Sequence, residues 1–234
     1  MKQFALLVIA GTLLASTATV ASASAIRFSQ GSVACTLADN GTVTGGSACS
    51  GILGDISLDR GLVTAVGSIN SWNITANVGR SAPVVGSSSS PALDLLFAAH
   101  SAAAGTLTIE FTDTGFNSAT VRNLISQIGG TTQGTSINYS TFADLSNVAF
   151  GRGIALSTLS FITTPFSGLG NATFNPNTAT YSITQVVTIT HGDGPSVLTT
   201  GDAAVNVPAP ATLLLVGTAL AGLGLSRRKS YVKA

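Results

Sequence analysis

Residues 105–113 read Gly-Thr-Leu-Thr-Ile-Glu-Phe-Thr-Asp, and their apolar and polar side chains alternate. The alternation places Leu107, Ile109 and Phe111 on one side of an extended chain, and threonines with one glutamate on the other. A strand with this period buries one face and leaves the other in water, as strands of antiparallel sheets do. The stretch therefore predicts an antiparallel β protein.

The same alternation recurs in residues 71–79 and 181–190, where Trp72 falls on the apolar side and Gln185 interrupts it. These three stretches and six further candidates give about nine strands, and two packed sheets are the economical way to cover their apolar faces. We expect an all-β, antiparallel β-sandwich, with a closed barrel as the alternative. The further candidate strands are 26–33, 52–58, 61–69, 93–98, 156–162 and 197–206.

One short helix is credible, over residues 118–128. There Val121, Leu124, Ile125 and Ile128 fall at helical spacing.

The N-terminus predicts a signal peptide over residues 1–25. Lys2 precedes an apolar stretch, and small residues follow it up to Ala23-Ser24-Ala25, which suits signal peptidase. The tripeptide predicts cleavage after Ala25, with Ala23 as the other small residue of the site. We therefore expect an exported domain over residues 26–206.

The charge of this domain excludes a nucleic-acid partner. The whole chain has a formal net charge of +1, but residues 26–206 contain five arginines, no lysine and nine acidic residues. A protein that binds nucleic acid needs a basic face to neutralise phosphates.

The two cysteines of the chain, Cys35 and Cys49, both lie in the exported part. An oxidising compartment pairs such cysteines. The bridge would close a loop of about 15 residues and contribute roughly 3 kcal/mol on the chain-entropy model. Metal binding is the rival interpretation, which the lack of His or Asp at ligand spacing disfavours.

The sequence singles out no catalytic residue. His191 is the better site candidate of the two histidines, because it precedes a Gly-rich turn with Asp193 at the rim of a predicted strand. No G-x-S-x-G elbow selects a serine to accompany it. A turn residue at a strand end is the ordinary interpretation, so we expect no enzyme activity.

Paired acids and metal ligands are equally weak signals. Glu110 with Asp113, and Asp55 with Asp59, are close in sequence, but we expect them to be solvated surface residues. No EF-hand loop occurs, and the oxygen-rich loops supply one acid each, whereas a firm calcium site needs several converging carboxylates. We therefore expect no metal site and no cofactor.

The C-terminal segment, residues 207–234, combines three features. Val207-Pro208-Ala209-Pro210 precedes an uncharged run of 16 residues, 211–226. As a helix the run would extend about 24 Å, short of the roughly 30 Å hydrocarbon core of a bilayer. Arg227, Arg228 and Lys229 follow and would hold the C-terminus in the cytoplasm.

This order of parts resembles the PEP-CTERM sorting signal of Gram-negative bacteria. In that family a Pro-Glu-Pro motif, an apolar helix rich in Leu and Gly, and an arginine cluster close the chain of an exported protein. Ala209 stands where the family usually has Glu. The resemblance implies recognition by an exosortase, a membrane-embedded cysteine protease that removes the helix near the prolines. It also implies transient anchoring in the inner membrane, then release to the cell surface or the extracellular matrix.

The predicted function is that of a structural or adhesive protein of the cell surface or biofilm matrix, in contact with exopolysaccharide or other matrix proteins. A carbohydrate-binding module is the first alternative, although exposed aromatic residues are scarce and Trp72 is expected in the core. A polysaccharide hydrolase is less well supported still, because it needs two converging carboxylates.

Overall fold

The computed structural model of the protein describes residues 23–118, 120–194 and 196–208. Within these ranges the chain forms two antiparallel sheets that pack as a sandwich, which confirms the predicted fold with thirteen strands in place of about nine. The strands are β1 (Ala25–Gln30), β2 (Val33–Ala38), β3 (Val43–Thr44), β4 (Leu62–Ile69), β5 (Trp72–Arg80), β6 (Ala92–Ser101), β7 (Gly105–Asn117), β8 (Arg122–Thr132), β9 (Ser136–Asp144), β10 (Ile154–Phe161), β11 (Phe166–Phe174), β12 (Thr180–His191) and β13 (Val197–Asn206).

Strand β7, which contains residues 105–113, lies in the middle of its sheet. The seven-stranded sheet has the order β10-β9-β12-β7-β1-β2-β3, and the six-stranded sheet has the order β11-β8-β13-β6-β5-β4. Leu107, Ile109 and Phe111 are fully buried between the two sheets, as their period predicts. Trp72 is also fully buried in this core, and Gln185 lies there too, where its Oε1 accepts a hydrogen bond from the Tyr139 hydroxyl at 2.7 Å.

The predicted helix over 118–128 is wrong, because most of that stretch is β8. The strand pairs with β11 on one side and β13 on the other, and it turns Leu124 and Ile128 into the core. Pairing on both sides overrides the local helical spacing. Residues 52–58 are also not a strand; they run alongside β4 with one bridge, between Ile52 and Gly67.

The predicted disulfide between Cys35 and Cys49 is confirmed. It joins β2 to a short 3-10 turn, Ser47–Cys49, with 5.5 Å between the two Cα atoms. The bridge thereby fixes the loop that follows β3 onto the edge of the seven-stranded sheet.

Both ends of the described chain lie at one end of the sandwich, which we call the terminal pole (residues 23–25, 88–91, 117–118 and 206–208). Ala25 pairs with Thr112 near the end of β7, and the Asn117 N–H at that end donates to the Ser88 carbonyl at 2.8 Å. The Val207 N–H donates to the Pro91 carbonyl in the same loop, at 3.3 Å. The opposite end, the short-turn pole, carries the turns 31–32, 70–71, 102–104, 133–135, 162–165 and 192–194.

Candidate functional site

A groove of about 540 Å³ runs along the outer face of the six-stranded sheet, and we call it the β8–β11 groove. Its floor is open because Gly129 has no side chain; a Cβ there would meet one atom within 4 Å, the Phe166 carbonyl oxygen at 3.8 Å. Alternate residues of three neighbouring strands point outward here, as the pleat requires, and the inward-facing Ile128 and Gly168 lie between them in the chain. The lining residues are Gln127, Ile128, Gly129, Ser167, Gly168, Leu169, Asp202 and Ala204.

Asp202 supplies the charge of the groove. It lies diagonally across from Asp94, since Asp202 pairs with Leu96 while Asp94 pairs with Ala204. Partial burial, the hydrogen bond with Asp94 and the charge of Asp94 raise the pKa of Asp202 to about 6, against the opposing charge of Arg80. Arg80 is bound to Asp94 at 3.2 Å.

The Gln127 amide, the Ser167 hydroxyl and the Asp202 carboxylate line the groove beside the exposed Leu169. Such groups can hydrogen-bond the hydroxyls of a ligand. This arrangement is not predictable from the local pattern, because neither β8 nor β11 shows a clear alternation of apolar and polar residues.

His191 is not an exposed rim residue but a buried one, 2% exposed. Its Nδ1 is 2.9 Å from Ser101 Oγ, which itself donates to the Ala103 carbonyl, and its Nε2 is 2.8 Å from Thr199 Oγ1. Its ring lies 4.3 Å from that of Trp72. Burial, with a smaller contribution from the charge of His100, lowers the pKa of His191 to about 4. The residue is therefore a neutral, fully bonded part of the core.

The expectation that Glu110 and Asp113 are solvated is also wrong, since Glu110 is 2% exposed and Asp113 is fully buried. Glu110 accepts from Arg27 Nε and Arg152 Nη2, each at 2.5 Å. Although burial raises it, these bonds hold the pKa of Glu110 below its usual value. Arg27 also stacks on the Phe150 ring, 4.2 Å from its centroid, so Glu110 fastens the 145–153 loop to the outer face of the seven-stranded sheet.

Asp55 and Asp59 do not form a paired site either. Asp55 accepts hydrogen bonds from the N–H groups of Asn40, Ser57 and Thr64 and so shapes its own loop, while Asp59 is exposed. In the part of the chain that the structure describes, no three His, Cys, Asp or Glu side chains are grouped so that they could hold a metal ion.

The predicted sorting motif begins where the last strand ends. Val207 packs against the core, and Pro208 lines a second groove of about 320 Å³ with Asn123, Asn171 and Thr173 among its walls. Ala209, Pro210, Arg227, Arg228 and Lys229 lie outside the described residues. No helix among the residues that are described is long and apolar enough to cross a bilayer, and the predicted span 211–226 lies outside them.

The predicted signal-peptidase site falls at the start of the fold. Ala25 is the first residue of β1, and the Ala23 N–H donates to Thr114 Oγ1 at 3.3 Å. Cleavage after Ala25 stays a prediction.

Comparison with known proteins identifies the C-terminal segment. Residues 206–229 match the family described as the PEP-CTERM protein-sorting motif, which confirms the resemblance seen in the sequence. The motif implies export, processing by an exosortase and sorting to the cell surface. No curated protein matches the chain.

Two solved structures share a weak likeness with the sandwich. One is the enzymatically active domain of tailspike protein 4 from bacteriophage CBA120, with a TM-score of 0.31 and 9% identity over 60% of this chain and 20% of that one. The other is the structure of infectious bursal disease virus, Gx strain, with a TM-score of 0.29 and 14% identity over 86% of this chain and 54% of that one. The chain thus spans about a fifth and about half of the lengths of these two proteins.

Proposed function

We propose that this chain is exported by a Gram-negative bacterium, held for a time in the inner membrane by residues 211–226, and released by an exosortase to the cell surface or matrix. There the sandwich acts as a non-catalytic structural or adhesive protein. The sorting motif at residues 206–229 supports the route. The structural or adhesive role at the cell surface or in the matrix is inferred from the shape and the surface of the sandwich.

One observation carries the proposal: both ends of the sandwich leave at the terminal pole. The sorting motif starts at the last residue of β13, so residues 211–226 follow the fold with a connection of a few residues. A body tethered in this way stands with its terminal pole toward the membrane. The short-turn pole and both sheet faces are then free for contacts with neighbouring molecules.

The outer faces have the chemistry for such contacts. Hydroxyl groups of neighbouring strands form pairs, Thr106 with Thr190 at 3.3 Å and Thr131 with Thr200 at 3.2 Å. Hydroxyl-rich surfaces hydrogen-bond readily to water and to sugar hydroxyls, and they carry little charge to repel like neighbours. Such a surface suits a protein that works among polysaccharide chains.

The experiment is fractionation of the producing bacterium, with and without its exosortase, into cell, matrix and medium. We expect the processed chain in the surface and matrix fractions of the wild type, and an unprocessed, membrane-bound chain when the exosortase is missing. A chain that stays in the cytoplasm, or that is processed equally without exosortase, would contradict the route. A chain found wholly in the medium would contradict the matrix role.

A second candidate function, carbohydrate binding, is favoured by the β8–β11 groove. Replacing Gly129 with Phe fills the floor of the groove without touching the core, because the position is open outward. We expect Gly129→Phe to reduce retention of the purified protein on the producer's exopolysaccharide at least about tenfold, the scale of a few lost hydrogen bonds.

The matched control is Leu198→Phe, on the same outer face in β13 but outside the lining. It adds the same ring and should leave retention unchanged. Equal retention of wild type and Gly129→Phe would exclude the groove as the binding site.

A further inference from the structure

We propose that signal peptidase cuts after Ala23, so that the mature chain begins at Ser24 and not at Ile26. The inference rests on the export that is part of the proposed function. The sequence contains two overlapping small-x-small sites, Ala21-Ser22-Ala23 and Ala23-Ser24-Ala25, and either one satisfies the small-residue requirement of the peptidase. The fold distinguishes between them.

Ser24 belongs to the folded body. It is 2% exposed, although it precedes the first strand. Its carbonyl accepts from the Asp39 N–H at 2.9 Å, and its hydroxyl donates to Asp39 Oδ2 at 3.3 Å. Loss of Ser24 would leave the Asp39 N–H without this acceptor, and an unsatisfied amide is costly where water cannot replace the bond.

Ala25 is held still more firmly, because β1 has a neighbour on both sides. It is opposite Ala38 in β2 and opposite Thr112 in β7. Cleavage after Ala25 would remove this residue from the middle of a seven-stranded sheet. It would also place the positive α-amino group on Ile26, which is fully buried. Burying an ammonium group away from water is strongly unfavourable.

Cleavage after Ala23 creates the α-amino group in a suitable place. At Ser24 the new ammonium is on the residue whose hydroxyl already reaches the Asp39 carboxylate. Asp39 Oδ2 also accepts from the Gly61 N–H at 2.8 Å, so the carboxylate is held at this site by two elements. An opposite charge within a few ångströms stabilises an ammonium group.

The direct test is the N-terminal sequence of the exported protein purified from the producing bacterium. Ser24 is the expected first residue. Ile26 would overturn the inference while leaving export intact. Met1 on the surface protein would overturn both the inference and the signal-peptide route.

A pair of leader variants tests the same point without touching the fold. Ala21 belongs to the first site alone, so Ala21→Asp should abolish the Ser24 N-terminus and slow processing, with any remaining cleavage shifted to the bond before Ile26. Ser22→Asp brings the same charge to the unrestricted middle position and should be processed normally. Processing of Ala21→Asp at the wild-type rate, with Ile26 at the N-terminus of both proteins, would show that the second site is used.

The structural reason is tested with two chains that end at Pro208 and are released without extra residues from an N-terminal fusion. Both contain the two sheets, the disulfide and the core described above. The chain that begins at Ile26 should have an unfolding equilibrium constant at least about tenfold larger than the chain that begins at Ser24, in the range of a typical destabilising change. Equal urea midpoints for the two chains would overturn the argument.

Discussion

His191 acts as a core residue whose neutrality is required by its surroundings. Because burial lowers its folded pKa to about 4, the folded imidazole stays neutral where the unfolded one, with its ordinary pKa of about 6.5, takes up a proton. We expect the free energy of unfolding to fall as the pH drops from about 6.5 to about 4. The free energy of unfolding falls by ~3 kcal/mol over this range, and the stabilisation that depends on the neutral imidazole is complete above about pH 6.5. Urea unfolding at a series of pH values measures it.

The matched controls are His191→Gln and His100→Gln. His191→Gln should be less stable at pH 7 but should lose this part of the pH dependence, whereas His100→Gln should keep it. Asp202 acts in the opposite direction, since its raised pKa of about 6 adds stability as the pH falls. That contribution is the same in all three proteins and cancels in the difference. Identical pH profiles for wild type and His191→Gln would contradict the assignment.

At the scale of elements, the disulfide fixes a loop that has little core of its own. We expect the double substitution Cys35→Ser with Cys49→Ser to lower the free energy of unfolding by about 3 kcal/mol, because the bridge restricts the unfolded chain over a loop of about 15 residues. Chemical denaturation of the two proteins checks it.

Reduction of the wild type provides the control for this prediction. A thiol reductant should move the wild type to the midpoint of the double variant and should not shift the variant itself. A double variant as stable as the oxidised wild type would show that the bridge contributes nothing.

A strand can be predicted from the sequence when its own residues show the alternation of apolar and polar side chains. β7 shows it, because Leu107, Ile109 and Phe111 alternate with polar residues, and the sandwich is predicted from such strands. β8 does not, because its apolar residues also fit a helix and its pairing with β11 and β13 is a long-range effect. The β8–β11 groove was unpredictable for the same reason.

The burial of polar side chains depends equally on distant partners. Glu110 was placed correctly on the side opposite Ile109, but the loop that brings Arg152 over it comes more than forty residues later. Likewise His191 lies at a strand end next to a turn, and its burial is produced by Ser101 and Trp72 from other strands. Local sequence does not show which loops and strands cover a position.

At the scale of the whole molecule, the terminal pole connects the fold with its processing. Ser24 and Val207, at opposite ends of the described chain, are each bonded into this pole. The matched sorting motif starts at the last residue of β13, and the proposed signal-peptidase cut lies directly before Ser24. Processing at these two ends would remove the targeting segments and leave the sandwich whole.

The intact mass of the chain released from the cell surface is the decisive measurement for the proposed route. We expect a mass that lacks both the signal peptide and the segment from Leu213 to Arg228, because we propose that the exosortase cuts near Pro208 and Pro210. A surface-released chain that still carries Leu213 to Arg228 would contradict it.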